Sequence, residues 1–171
     1  ARPRSEQDNP DFALVIAMLL GSLSEMRDRS GRFAEAGALL DEARQLLAGP
    51  AQGAARWAEA DYFERRMRAW LLQDLGEVAE STRIFLQLCA ELRTGSLSLP
   101  PYTPEGSRLW HIEASWGAGY GLVAQGEYGA ALQLMSEAIA ASEQACCDLL
   151  RAYATRVQVI ALLYTGAFDE A

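Results

Sequence analysis

The sequence predicts an all-α protein built by stacking antiparallel helix pairs. Three observations carry this expectation. A short phrase recurs four times, as Gly31-Arg32-Phe33-Ala34-Glu35-Ala36, Gly76-Glu77-Val78-Ala79-Glu80-Ser81, Gly126-Glu127-Tyr128-Gly129-Ala130-Ala131 and Gly166-Ala167-Phe168-Asp169-Glu170-Ala171. Small and large residues recur at fixed distances on both sides of each phrase. Nowhere does an apolar–polar alternation of period two hold, so no strand is expected.

Each phrase reads physically as a helix–helix turn. The glycine takes the left-handed conformation that closes one helix. The large residue two positions later anchors the start of the next helix. The small residue five positions after the glycine lets two helix backbones approach. Seven residues before the glycines stand Ser24, Ala69, Gly119 and Val159, mostly small. Nine residues after the first three stand Leu40, Phe85 and Met135, and twelve after stand Ala43, Leu88 and Ala138. Such alternation suits helix pairs that pack on their neighbours.

The elements follow in order. Asn9 is an N-cap with Pro10 as first helical residue, so helix 1 is expected over about 10–29. Helix 2 runs about 33–47 and stops at Gly49-Pro50. Helix 3 runs about 53–74 and helix 4 about 77–93, ending at Gly95. Pro100, Pro101 and Pro104 impose a loop. Thr103 and Pro104 then open helix 5, about 105–125, followed by helices at about 128–144 and 148–165. An eighth begins at Phe168. Because the chain starts with Ala1 and stops where that helix starts, it is expected to be part of a longer protein.

These phrases resemble the tetratricopeptide repeat, and the likeness covers nearly the whole chain. Trp116 through Ile139 is the best match: Gly119, Gly126, Tyr128, Ala131 and Ala138 all fall on consensus positions. The resemblance implies an α-solenoid, a right-handed superhelix of about three and a half helix pairs, over 10–48, 53–93, 105–145 and 148–171 of one domain, 1–171. One departure stands out. The turn glycines are 45, 50 and 40 residues apart, against about 34 in the standard repeat. Long repeats of this kind are similar to the sensor halves of bacterial signalling proteins. Activators of the maltose-regulon type are one example; segments joined to diguanylate cyclases or histidine kinases are others.

Composition narrows the function. The chain has 171 residues, half of them hydrophobic, and a formal charge of −8. An extended nucleic-acid footprint is therefore not expected. All fifteen basic residues are arginine, which excludes lysine chemistry. Cys89, Cys146 and Cys147 have neither a disulfide-framework nor a zinc spacing. They are expected to act as small buried hydrophobes in a reducing, cytoplasmic compartment. The longest apolar run, Phe12 to Leu20, is too short to cross a bilayer.

No candidate for catalysis emerges, and no metal or cofactor is expected. His111 is the one histidine, so it is read as a surface or partly packed side chain. Gly117, Gly119 and Gly121 imitate a nucleotide fingerprint, but no strand precedes them; close helix packing explains them. Glu25, Asp28, Asp169 and Glu170 are expected on solvated polar faces. Arg65, Arg66 and Arg68 are expected to pair with Glu59, Asp61 and Glu64.

What remains is a binding surface. In a tetratricopeptide stack the first helix of each pair lines a concave groove, through the residues 13, 10, 6, 3 and 2 positions before the turn glycine. Here those positions hold Phe63, Arg66, Trp70, Gln73 and Asp74 in the second pair, Glu113, Trp116, Tyr120, Val123 and Ala124 in the third, and Tyr153, Arg156, Ile160, Leu163 and Tyr164 in the fourth. The first pair contributes Met18, Gly21, Glu25, Asp28 and Arg29. Trp, Tyr and Arg are the usual anchors of interfaces. The expected function is protein or peptide recognition, self-association included, within a bacterial signalling or transcription-regulating protein. The alternative is a sensor holding an anionic or aromatic small ligand. An open groove favours the first and an enclosed aromatic pocket the second.

Overall fold

A computed structural model describes residues 9–52, 54, 56–97, 99 and 106–167. Among them the chain forms seven α-helices and no strand: α1 (Pro10–Asp28), α2 (Phe33–Ala48), α3 (Trp57–Asp74), α4 (Val78–Thr94), α5 (Gly106–Ala124), α6 (Tyr128–Gln144) and α7 (Asp148–Thr165). No helix among the described residues is long and apolar enough to cross a membrane. The chain divides into two compact units, residues 1–75 and 76–171.

The local signals act as their chemistry demands. Asn9 caps α1, its side chain accepting from the Asp11 N–H at 3.0 Å, and Pro10 follows. All four phrase glycines have positive φ, between 71° and 84°. At Gly126 the closure is a pair of backbone hydrogen bonds: Gly126 N–H donates to the Val123 carbonyl and Glu127 N–H to the Leu122 carbonyl. Gly31 and Gly166 repeat that pair, so three turns close by one mechanism.

Two expectations need correction. Helix α3 starts at Trp57 rather than near 53. Ala54 N–H and Trp57 N–H bond back into a turn, and the Trp57 indole N–H donates to the Leu47 carbonyl at 2.8 Å. That indole satisfies an otherwise orphan carbonyl at the end of α2 and fixes where the chain turns. Cys146 and Cys147 are not buried: Cys146 is exposed and Cys147 half-buried, in the turn between α6 and α7, and only Cys89 lies inside. The eighth helix and the Thr103–Pro104 start of α5 lie outside the described residues.

In the first unit α1 packs on α2, and α3 packs on both. One core joins Ala13, Leu14 and Ala17 of α1 to Ala43 and Leu47 of α2. A second joins Ala36 and Leu40 of α2 to Met67 and Leu71 of α3. In the second unit consecutive helices pack in turn, and α5 also meets α7. Its core gathers Ile112, Met135, Ala138, Ala154 and Val157. The small residues anticipated at close approaches, Ala36, Ala43, Ala131 and Ala138, are buried, as are Leu40, Phe85 and Met135 beside them. Gly117 and Gly119 lie where a β-carbon would collide, with the Phe85 ring and the Met135 side chain respectively. Packing accounts for both.

Candidate functional site

The sequence-predicted site residues fall in both units. Phe63, Arg66 and Trp70 belong to α3 of the first, and Trp116, Tyr120, Tyr153 and Arg156 to α5 and α7 of the second.

In the first unit the aromatics are engaged in packing. A β-carbon at Gly21 would stand 2.7 Å from the Phe63 ring, so α1 and α3 meet there with no room for a ligand. Phe63 and Trp70 also press on the Leu40–Met67 core. The Arg66 guanidinium lies 5.0 Å from the centre of the Phe63 ring, a cation–π contact. At the ends of these helices sits a polar cluster. The Asp28 carboxyl is pushed up to about 6 by burial, by the charge of Asp74 and a hydrogen bond with it, and by Glu25, against the opposing Arg29. Asp28 is therefore not a solvated surface charge: one of its oxygens is buried without a partner, and so are both amide atoms of Gln73.

The basic cluster finds acids as expected, in a denser arrangement. Asp61 and Glu64 are buried. Arg65 reaches Asp61 at 3.3 Å, and Arg68 bridges Glu64 at 2.8 Å and Asp41 at 3.0 Å. Arg44 of α2 joins Asp61 at 2.7 Å and also grips Glu64. Sequence reading had no signal for Arg44, because its partners lie 17 and 20 residues away.

Of the anticipated Trp116, Tyr120, Tyr153 and Arg156 of the second unit, Tyr120 lines a pocket and the other three do not. Tyr120, Val123 and Ala124 of α5, Tyr128 of α6, and Val157, Ile160 and Tyr164 of α7 enclose about 330 Å³. Two aromatic pairs stack in this unit, one of them within the lining. The rings of Trp116 and Tyr153 lie 4.7 Å apart at 15°, and those of Tyr128 and Tyr164 lie 5.5 Å apart and nearly parallel. The mouth is open, with Tyr120 41% and Tyr164 68% exposed. Arg156 is exposed on α7, one turn from both Tyr153 and Ile160. Tyr128 and Val157, which complete the lining, were missed because they lie off the offsets that define the groove.

His111 is half-buried, its pKa lowered by burial and by Arg93, against an opposing Glu137. Burial raises that of Cys89, whose sulfur lies 3.6 Å from the Ser115 hydroxyl. No group of three metal-ligating side chains occurs among the described residues. No family model, curated protein or solved structure matches the chain, so the site is read from its own geometry.

Proposed function

We propose that this chain is a recognition module, a tetratricopeptide-like solenoid of helix pairs acting as the interaction segment of a bacterial signalling protein. The repeated turn phrases support that architecture, as does the packing within each unit: α1 on α2, α2 on α3 and α1 on α3 in the first, and α4 on α5, α5 on α6, α6 on α7 and α5 on α7 in the second. The pocket between α5 and α7 carries the functional reading. Its lining is aromatic and aliphatic, its mouth is open, and Arg156 is exposed one turn before Ile160 of that lining. Such a site takes an aromatic or branched aliphatic side chain of a peptide between the tyrosines, with the arginine reaching a neighbouring carboxylate. The exposure of Tyr120 and Tyr164 favours a peptide over an enclosed small ligand.

Selection from a displayed random-peptide library tests this. Selected peptides are expected to share one large apolar residue near an acidic one. Ile160→Asp places a charge in the pocket and is expected to weaken them at least tenfold, or roughly 1.4 kcal/mol. Peptides whose affinity ignores Ile160→Asp would remove the pocket from the reading.

A further inference from the structure

Helix α1 is apolar on two opposite faces. Ala13, Leu14, Ala17 and Gly21 are buried inside the first unit. The opposite face presents Phe12, Val15, Leu19, Leu23 and Met26, each between 45% and 66% exposed. At about 100° per residue these five side chains share an arc of roughly 80° centred on Leu19. A helix that is apolar all round is one whose outer face is covered in the working molecule. The five expose roughly 400 Å² of apolar surface, comparable to the largest patch on a typical monomer and about half of what each partner gives to a standard interface.

The spacing names the occupant. Phe12 and Met26 lie seven residues on either side of Leu19, and Val15 and Leu23 lie four. The stripe therefore reads the same in both directions along the helix. A two-fold contact requires this, because residue i meets j and j meets i. Two copies of α1 laid antiparallel, with the axis beside Leu19, bring Phe12 against Met26, Val15 against Leu23, and Leu19 against its own counterpart. The opposed helix dipoles attract. Beside the stripe, Leu23 and Arg27 join Glu35, Ala38, Leu39 and Glu42 of α2 around a cavity of about 310 Å³, level with the Phe12 of the second copy.

We propose that the outer face of α1 is a self-association surface, covered by α1 of a second copy in an antiparallel, two-fold contact centred on Leu19. This stands apart from the pocket of the second unit and does not depend on it.

Sedimentation equilibrium over a concentration series tests the contact on the whole chain. A monomer–dimer equilibrium is expected, and Leu19→Glu is expected to weaken it at least thirtyfold, the loss typical of a central anchor. Leu19 is already exposed, so helix content by circular dichroism is expected to be unchanged. In a Cys146→Ser background, mild oxidation of Leu19→Cys is expected to yield a covalent dimer, and oxidation of Ala140→Cys, exposed on α6 and outside α1 and α2, is not. A chain that stays monomeric up to high micromolar concentration overturns the proposal. So does a dimer that Leu19→Glu leaves intact, or cross-linking at Ala140→Cys as efficient as at Leu19→Cys.

Discussion

The backbone of Gly117 rests on the ring of Phe85, so closely that a β-carbon there would stand 2.6 Å from two ring atoms. Phe85 is itself fully buried and cannot swing aside. Gly117→Ala is therefore expected to destabilise the chain by about 1–2 kcal/mol, overpacking outweighing the gain in helix propensity of about 1 kcal/mol. At Gly119 the colliding atoms are the flexible end of Met135. Gly119→Ala is expected to cost less than Gly117→Ala, and equal losses in urea unfolding would contradict this account of the α4–α5 contact.

Cys146 is the one non-glycine with positive φ among the described residues, at 51°. Its N–H donates to the Glu143 carbonyl and the next N–H to the Ser142 carbonyl, the same closure that Gly126 makes. A side chain in that conformation costs about 1–2 kcal/mol, and this thiol is exposed. Cys146→Gly is expected to raise the melting temperature, its added unfolded-state entropy offsetting part of the gain. A drop in melting temperature would show that the thiol contributes to the turn.

Asp28 and Asp74 crowd two carboxyls together where α1 and α3 end, and the Asp28 pKa rises from 3.8 to about 6. The folded chain thus holds a proton on Asp28 more tightly than the unfolded chain does. Stability from this group is full below about pH 4 and is lost as pH rises through 6. Asp28→Asn is expected to be more stable than the parent at pH 7.5, with the difference shrinking toward pH 5. Parallel stability–pH curves for the two proteins would refute this.

Arg44 spans two buried acids, Asp61 and Glu64. Arg44→Met removes a charge that both use, although Arg65 and Arg68 still hold one oxygen each. The expected loss is about 2–3 kcal/mol, less than for a buried acid left with no partner. Arg83→Ala breaks an exposed pair with Glu80 and an exposed hydrogen bond to Gln87 and is expected to leave the melting temperature unchanged. Equal effects at the two sites would remove the network from the stability of the first unit.

The helices were legible because their signals are local. Gly126 and the residues five, nine and twelve positions on place α6, and Gly166 marks the end of α7. Trp57 delayed α3 through a bond to a carbonyl ten residues earlier, which no propensity encodes. Cys146 closes a turn where a glycine would be sought. Arg44 belongs to its network only once α2 and α3 lie side by side. In sequence the run from Phe12 to Leu20 reads as an apolar stretch too short to cross a bilayer. Its second meaning, an apolar outer face, needed the first unit's core to show which side of α1 was already covered. The aromatic positions of α5 and α7 were legible from repeat register, whereas Tyr128 entered the pocket through its stacking with Tyr164.

Trp116 and Tyr164 sit on the same face of the second unit but do different work. Trp116 packs on the Ile112–Met135 core and stacks on Tyr153. Tyr164 is 68% exposed and touches the fold chiefly through the ring of Tyr128. Trp116→Ala is expected to destabilise by about 3 kcal/mol, at the low end for a large aromatic because the side chain is only partly buried. Tyr164→Ala gives up one ring stack, worth about 0.5–1.5 kcal/mol. In binding the order inverts: peptides selected on the parent chain are expected to lose more affinity to Tyr164→Ala than to Trp116→Ala, measured well below both melting transitions. Thermal melts beside calorimetric titrations separate the two roles. If Tyr164→Ala leaves affinity intact while Trp116→Ala abolishes it in a still-folded chain, the contact lies at the Trp116–Tyr153 stack and not at the open mouth.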